Sequence, residues 1–278
     1  MREITPRSPV ALLLLGIVLF YAAALIIAPI IAIVQGAFAQ GIQPILDALT
    51  TPDVLHAFQV TFILAAGAVL INSIAGLVTA WVLVRHEFRG KQLLDMLVDI
   101  PFVFSPVIAG YALIVLFGRD GWLSPPLFPI VFALPSILLA KTFVSLPFVT
   151  REVSPVLASL SREPEEAAYT LGASRWGTFW RVVFPEIWPG LLYGIVLTLA
   201  RAIGEFGAVA VVGGSVQGLT ETATIYVFRA LNDRNQISAY SVSLVLGLFS
   251  VGILVAMSLL RRRSPLNGRN TFNVNRAG

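Results

Sequence analysis

Long apolar runs dominate this sequence and limit its possible folds more than any other feature. Six runs are long enough to cross about 30 Å of hydrocarbon as helices. They lie near Val10–Val34, Phe58–Val84, Leu93–Phe117, Leu127–Val149, Trp188–Val212 and Ala239–Leu260. Hydrophobic side chains make up 57% of the 278 residues and charged ones only 12%, well below the charged share of soluble domains. The pattern predicts an all-α, polytopic membrane protein with six transmembrane helices.

The positions of lysine and arginine predict the side of the membrane on which each loop lies. Fourteen fall in the N-terminus, the second loop, the fourth loop and the C-terminal tail, whereas the alternate loops hold three and the runs hold two. Cytoplasmic loops are enriched in these residues. We therefore expect both termini, the loop of residues 151–187 and the tail of residues 261–278 to be cytoplasmic. This topology explains the net charge of +4 without nucleic acid, and we interpret residues 1–278 as one transmembrane domain.

Several kinds of chemistry are disfavoured by composition. The chain has no cysteine, which excludes disulfides and thiolate ligands, and its two histidines, His56 and His86, form no metal-binding cluster in the sequence. We also find no carboxylate pair or Ser/His constellation on one side of the membrane. The sequence therefore predicts no metal site and no catalytic residue, and a membrane enzyme is the least favoured class.

The loop of residues 151–187 carries two short helical patterns. In "SREPEEAAYTLGAS", acidic residues and a proline occupy a first helical turn, which is favourable there, and Gly172 ends the helix. A second helix is predicted from Ser174, as its cap, to about Val183, with Trp176, Phe179 and Trp180 on one face and Pro185 as its end. The residues alone leave two interpretations open: an amphipathic connector at the lipid headgroups, or a docking site for a cytoplasmic protein.

The spacing of this loop resembles the signature of ABC importer permeases. Glu166-Ala167-Ala168, three residues, Gly172, nine residues, Val182, one residue and Phe184-Pro185 match the EAA motif, with Val182 and Phe184 as apolar replacements. The resemblance implies a type I ABC importer permease architecture and a loop that seats in the ATPase subunit. The residues that it implies for coupling to the ATPase are Glu165, Glu166, Ala167, Ala168, Leu171, Gly172, Ala173 and Pro185.

The sequence contains no recognisable nucleotide-binding motif. The chain contains no G-x-x-x-x-G-K-[ST] phosphate loop. With the resemblance, this implies that the chain is a non-catalytic subunit that binds no cofactor, while ATP and Mg are used by a partner ATPase. The resemblance further implies two copies of that ATPase, a homologous permease subunit, an external binding protein and a bacterial-type inner membrane.

Three other stretches suggest the cargo. "DIPFVFSPVIAG", "FVTREVSPVL" and "LTLARAIGEFGAVAVVGGS" resemble the sulfate/thiosulfate importer permeases, most of all their CysW-type subunits, whose implied partner is a CysT-type homologue. The resemblance extends over most of the chain and is weakest in residues 118–127 and in the tail. Molybdate and tungstate permeases share the EAA loop and a similar fifth run, so they are the nearest alternative.

The fifth run contains two charges within its apolar stretch. Arg201 lies about 20 Å along the helix from Trp188, and Glu205 is one turn further on the same face. Isolated charges at such depth are costly, so we expect them to pair or to face water. The pair is interpreted either as a structural salt bridge or as part of the translocation path or its gate.

The remaining charges within the runs favour structural roles. We expect Lys141 in the fourth run to pair across helices with Asp95 or Asp99 at the start of the third run. An ion-coupled secondary anion transporter using Arg201, Glu205 and Lys141 is a further alternative. It is disfavoured because inverted repeats are not visible and because a docking loop would then have no purpose.

Overall fold

The computed structural model describes residues 9–123 and 130–263, and every regular element in these ranges is helical. Its twelve α-helices and one π-helical turn follow in chain order. They are α1 (Pro9–Phe38), α2 (Gln43–Leu49), α3 (Pro52–Arg85), α4 (Lys91–Val103), α5 (Pro106–Phe117), α6 (Leu134–Ser159), α7 (Glu163–Thr170), α8 (Arg175–Thr178), the π-turn (Phe179–Val183), α9 (Phe184–Ile203), α10 (Gly207–Val212), α11 (Ala223–Asn232) and α12 (Gln236–Arg263). The predicted all-α fold is confirmed.

Four helical segments are long and apolar enough on their own to cross a membrane. They are α1, α3, the continuous stretch from α8 through the π-turn to α9, and α12. The bent pair α4 and α5 makes a fifth candidate, whereas α6 contains three charged residues and is not among them. The chain is thus multi-pass, but the count of six spans stays a prediction. Arg2, Arg7, the start of the fourth run at Leu127 and the tail beyond Arg263 lie outside the described residues, and the orientation of the termini also stays a prediction.

The third and fifth apolar runs are not the single helices that the sequence predicts. The third divides into α4 and α5, which are bent by 114°. The break falls at Phe104 and Ser105, both extended, because a residue before proline is disfavoured in the helical region and Pro106 follows. The fifth run is interrupted between Ile203 and Gly207, so α9 and α10 are separate helices.

Helices α3, α6 and α9 form the centre of the molecule, and small residues let them approach closely. A Cβ added at Gly76 of α3 would lie 2.7 Å from the Cβ of Val149 in α6, and one added at Gly194 of α9 would lie 2.8 Å from the Cα of Val149. The Asn72 amide of α3 donates to the Ser145 hydroxyl of α6 at 2.9 Å. Such contacts drive helix association where lipid removes the hydrophobic advantage.

The buried residues form clusters along this centre. One cluster, near the cytoplasmic end by the predicted topology, contains Ala80, Val149, Val153, Leu157, Val183, Ile187 and Leu191. Another joins α3 and α6 to α10 and α11 through Val60, Leu64, Ile137, Val209 and Ile225. By contrast, α1 is exposed along most of its length and packs on α12, where Gly36 lies against the ring of Tyr240.

Candidate functional site

The segment between α6 and α9, here called the two-helix segment (residues 160–183), is shorter than predicted. The predicted loop of residues 151–187 begins too early, because α6 continues to Ser159. The predicted end at Pro185 is wrong: the helix runs without a break from Arg175 through the π-turn into α9. Proline cannot donate to the carbonyl four residues back, and the wider turn of Phe179–Val183 directly before it changes that bonding pattern.

Local capping fixes the shape of the two-helix segment. Helix α7 ends in a Schellman motif, in which Gly172 N–H donates to the Tyr169 carbonyl and Ala173 N–H donates to the Ala168 carbonyl, each at 3.0 Å. Gly172 has φ of +86°, which suits glycine. Ser174 caps helix α8: its hydroxyl accepts from Gly177 N–H at 3.1 Å, so the predicted cap is confirmed.

The predicted coupling residues divide between two faces of the segment. Glu166, Ala167 and Leu171 are exposed, and Leu171 is 87% exposed despite being apolar. Gly172 and Ala173 are also exposed, at the turn. The other face, formed by Glu165 and Ala168, is half-buried against the chain itself. Their role in binding an ATPase stays a prediction, as does that of Pro185, which lies within α9.

The carboxylate of Glu165 has a partner that the sequence did not reveal. It forms an ion pair with Arg85, the last residue of α3, with 2.5 Å between Nη2 and Oε1. The two side chains are only 14% and 9% exposed. Positively charged Arg85 also suits the negative end of the α3 dipole, and acidic Glu165 the positive end of α7. This ion pair ties the start of α7 to the end of α3.

Aromatic side chains line α8, the π-turn and the start of α9. Trp176, Trp180, Phe184 and Trp188 contact one another in succession, with centroid distances of 4.5 to 5.6 Å, and three of the four, the tryptophans, are exposed. Phe179 contacts this row, at 5.3 Å from the ring of Trp180, and also contacts the ring of Trp81 in α3 at 5.5 Å. The predicted aromatic face therefore has an outward side and an anchored side.

The second predicted site lies at the interruption between α9 and α10. Arg201, in the last turn of α9, forms an ion pair with Glu205 in the interruption, so these two residues are brought together. Glu205 is 1% exposed and Arg201 31% exposed. The other carboxylate oxygen of Glu205 accepts from Ala208 N–H at 2.8 Å and so satisfies one of the free N–H groups in the first turn of α10. One member of the pair is buried while the other reaches the surface of this chain.

Lys141 of α6 belongs to the same site. Its ammonium is fully buried and donates to the carbonyl of Ala202, which lies at the C-terminal end of α9. A cation is favourable at that end of a helix, and it satisfies a carbonyl that the interruption leaves without a helical partner. Lys141 is also within electrostatic range of both Arg201 and Glu205. The site thus holds two basic side chains and one carboxylate.

The α4 carboxylates do pair across helices, but the predicted partner, Lys141, is wrong: Lys141 donates to Ala202, and Arg151 of α6 binds both carboxylates. The Arg151 guanidinium of α6 pairs with Asp99 at 2.6 Å and with Asp95 at 2.8 Å. A second pair lies in the loop after α10, where Arg229 of α11 binds the buried carboxylate of Glu221 at 2.7 Å. Hydrogen bonding to Glu221 raises the pKa of the Arg229 guanidinium above its ordinary value.

Sequence reasoning missed three of these contacts: Arg85 with Glu165, Lys141 with Ala202, and Arg229 with Glu221. Each joins residues on different elements. Arg85 and Arg229 were interpreted only as topological charges. Within residues 9–123 and 130–263, no group of three or more His, Asp or Glu side chains is placed to hold a metal ion.

The arrangement defines a class of protein: a multi-pass helical membrane protein. Two solved structures have the same fold. A bacterial ABC transporter involved in alginate import aligns with a TM-score of 0.70 and 19% identity, covering 91% of this chain and 93% of that one. A bacterial alginate ABC transporter in complex with a periplasmic protein that carries an alginate pentasaccharide aligns with a TM-score of 0.69 and 18% identity. The alignment covers 90% of this chain and 92% of that one.

The sequence also identifies the family. Residues 72–264 match the family described as "binding-protein-dependent transport system inner membrane component", and the chain belongs to this family. It is 43% identical to the sulfate transport system permease protein CysW of Synechocystis sp., covering 91% of this chain and 93% of the relative. It is 41% identical to CysW of Escherichia coli, and the alignment covers 90% of this chain and 87% of the relative. The CysT permease protein of Synechocystis sp. is 35% identical, covering 88% and 87%.

Proposed function

We propose that this chain is the permease subunit of an ATP-driven importer for sulfate or thiosulfate, in which it provides half of the translocation path. The relatives named as CysW sulfate permeases support this cargo, because they are 41–43% identical over most of the chain. The chain itself performs no ATP chemistry. ATP and Mg are bound by a separate ATPase subunit.

The observation that carries the proposal is the exposed face of α7. Glu166, Ala167 and Leu171 project from a hairpin whose other face is anchored on α3 by an ion pair. An apolar side chain that is 87% exposed beside a carboxylate and a small residue suits a protein groove, since small residues permit close approach. A lipid-bound connector would need its apolar side chains along one continuous face. The exposed tryptophans provide such a face on α8 and α9, but α7, with three acidic residues in its first turn, does not.

The proposed assembly has four kinds of subunit. This chain pairs with a homologous CysT-type permease, and the similarity of the chain to both CysW and CysT proteins agrees with such a pair. Two copies of the ATPase dock on the cytoplasmic face of the two permeases. An extracytoplasmic sulfate-binding protein delivers the anion to the other face, and the complex lies in a bacterial-type inner membrane.

The site at the α9–α10 interruption is proposed to line the translocation path or its gate. A divalent oxyanion cannot cross hydrocarbon unaided, since the cost for a bare ion reaches tens of kcal/mol. Arg201 is the partly exposed member of the site and lowers that barrier by offering a positive charge. Glu205 limits how tightly an anion is held, which conduction requires. Interrupted helices with fixed ends are a common basis for such sites in transporters.

Reconstitution of the four components in vesicles tests the proposed function. Uptake of labelled sulfate should require ATP inside, the binding protein outside and this chain in the membrane. Thiosulfate, molybdate and tungstate are tested as competitors. Sulfate uptake driven by an ion gradient without the ATPase would refute the importer, and preferential uptake of molybdate would refute the cargo.

The path is tested with Arg201→Gln and with Arg119→Gln as the matched control, since Arg119 is exposed and lies on the other side of the molecule from the two-helix segment in the predicted topology. We expect Arg201→Gln to abolish most uptake while the complex still assembles, and Arg119→Gln to leave uptake unchanged. Wild-type uptake by Arg201→Gln in an assembled complex would refute the path.

A further inference from the structure

The Arg85–Glu165 ion pair is distinguished by how far it is removed from water. Its two side chains are 9% and 14% exposed, although α7 contains no fully buried residue. The neighbouring pair of Lys91 and Glu87, on the turn between α3 and α4, has a similar separation of 2.6 Å but is 31% and 86% exposed. Screening by water weakens the second pair far more than the first. Of these two, the pair at α7 is the one able to hold its partners together.

Aromatic contacts extend the pair into both neighbouring helices. The Arg85 guanidinium lies 5.9 Å from the centre of the Trp81 ring, one turn earlier in α3. Trp81 in turn meets Phe179 of the π-turn, which continues into α9. The other ionisable side chains beside the pair are His86 at the end of α3, Arg162 and Glu166 at the start of α7, and Arg175 of α8, which line an open cleft of about 530 Å³.

Helix α3 connects this pair to the distant site. It is a continuous helix of 34 residues, so its length is about 50 Å. Near its other end, the Thr61 hydroxyl accepts from Ala223 N–H at 2.8 Å, and Val60 and Leu64 pack in one cluster with Val209 of α10. Helix α10 is the element whose Ala208 N–H donates to the carboxylate of Glu205. A displacement of α3 would therefore displace α10, and with it the α9–α10 interruption, through direct packing.

We propose that the Arg85–Glu165 ion pair is the joint that transfers movement of α7 to α3. Glu165 then acts inside this chain and does not contact the ATPase, whereas Glu166, Ala167 and Leu171 form the docking face. Both members of the pair are positioning residues for coupling. The proposal rests on the proposed function, because it assumes that an ATPase moves α7.

The test uses the reconstituted complex and measures three quantities: ATPase subunit retained by the permease, ATP hydrolysis, and sulfate taken up per ATP hydrolysed. Glu165→Gln and Arg85→Gln are expected to retain the ATPase and to hydrolyse ATP, but to lower uptake per ATP by about tenfold. The charge-exchanged variant, with Arg85→Glu and Glu165→Arg together, is expected to recover most of that loss. Glu87→Gln and Lys91→Gln are the matched controls and should behave as wild type.

A covalent cross-link in place of the Arg85–Glu165 ion pair provides a second test if the charge-exchanged variant does not fold. The chain has no native cysteine, so Arg85→Cys and Glu165→Cys together create a unique thiol pair. Joining the two thiols with a short bismaleimide should restore uptake per ATP, while the unjoined variant should remain uncoupled. A cross-link also stabilises the fold. Restoration therefore supports a mechanical connection when the unjoined variant already retains the ATPase and hydrolyses ATP, because a role limited to stability would have lowered those two quantities as well.

Two results would overturn the joint. The first is loss of the ATPase subunit in Glu165→Gln but not in Arg85→Gln, because Glu165 would then contact the partner. The second is wild-type uptake per ATP in both single variants. Failure of the proposed function is distinguishable from failure of the joint, because it shows in the wild-type complex. A wild-type complex that recruits no ATPase overturns both proposals. A wild-type complex that transports a different anion refutes only the cargo, and uptake by the variants is then measured with that anion.

Discussion

Gly172 provides a test that separates backbone strain from partner contact. Its φ is +86°, and a Cβ added there would meet nothing within 4 Å in this chain. Replacement by alanine therefore adds only the cost of a left-handed conformation, about 1–2 kcal/mol. Replacement by leucine extends a larger side chain from the same open position. If Gly172→Leu weakens binding of the ATPase more than Gly172→Ala does, we attribute the difference to contact between the leucine side chain and the partner subunit.

Gly90 is the matched control for this comparison. It has φ of +95°, also with nothing within 4 Å of an added Cβ, and lies in the turn between α3 and α4. The strain from alanine or leucine at Gly90 should therefore be similar to that at Gly172. The difference between the leucine and alanine variants at each glycine isolates contact with a partner.

The assay is titration of detergent-solubilised permease complex with the ATPase subunit. We expect Gly172→Ala to weaken association by about tenfold, the equivalent of 1.4 kcal/mol, if the strain is relieved by distorting the docking turn. We expect Gly172→Leu to weaken it by at least about another tenfold. Both Gly90 variants should bind as wild type. Equal binding by Gly172→Ala and Gly172→Leu would refute docking of the ATPase at this turn.

Two further predictions concern stability, measured by thermal unfolding in detergent. Gly76→Ala should destabilise the protein by about 1–3 kcal/mol, since its Cβ would lie 2.7 Å from that of Val149, whereas Gly247→Ala, with open space around it, should have no such effect. Lys141→Met should cost about 1–3 kcal/mol, because it leaves the buried carbonyl of Ala202 without its donor. An unchanged melting temperature in Gly76→Ala would contradict the close packing of α3 on α6, and in Lys141→Met it would contradict the donor role.

Interactions between near neighbours in the chain were predictable. The cap at Ser174 and the glycine end of α7 at Gly172 depend on hydrogen bonds that reach only three to five residues, so the residue types suffice to predict them. The EAA spacing likewise predicted the family that the comparisons confirm. Pro185 misled because proline usually ends a helix, and a π-turn before it is not recognisable from the residues.

The shapes of the apolar runs were less predictable. Pro106 marks a disturbance in the third run, but proline fixes only the residues beside it and not the 114° angle between α4 and α5. The interruption after Ile203 has no proline. It is stabilised by Lys141 from α6 and by Thr224, whose hydroxyl donates to the Glu205 carbonyl at 2.9 Å. Both groups come from elsewhere in the chain.

The sequence by itself determined that this is a helical membrane protein with one polar two-helix segment, because transfer from water and helix capping act on a residue and its near neighbours. The tertiary structure alone decided which charges meet: Arg85 and Glu165 are 80 residues apart, and Lys141 and Ala202 are 61 apart. Apolar side chains surround the long helices on most sides, so periodicity does not reveal which face turns inward. Only the packing of α3, α6 and α9 sets those rotations and thereby assembles both sites.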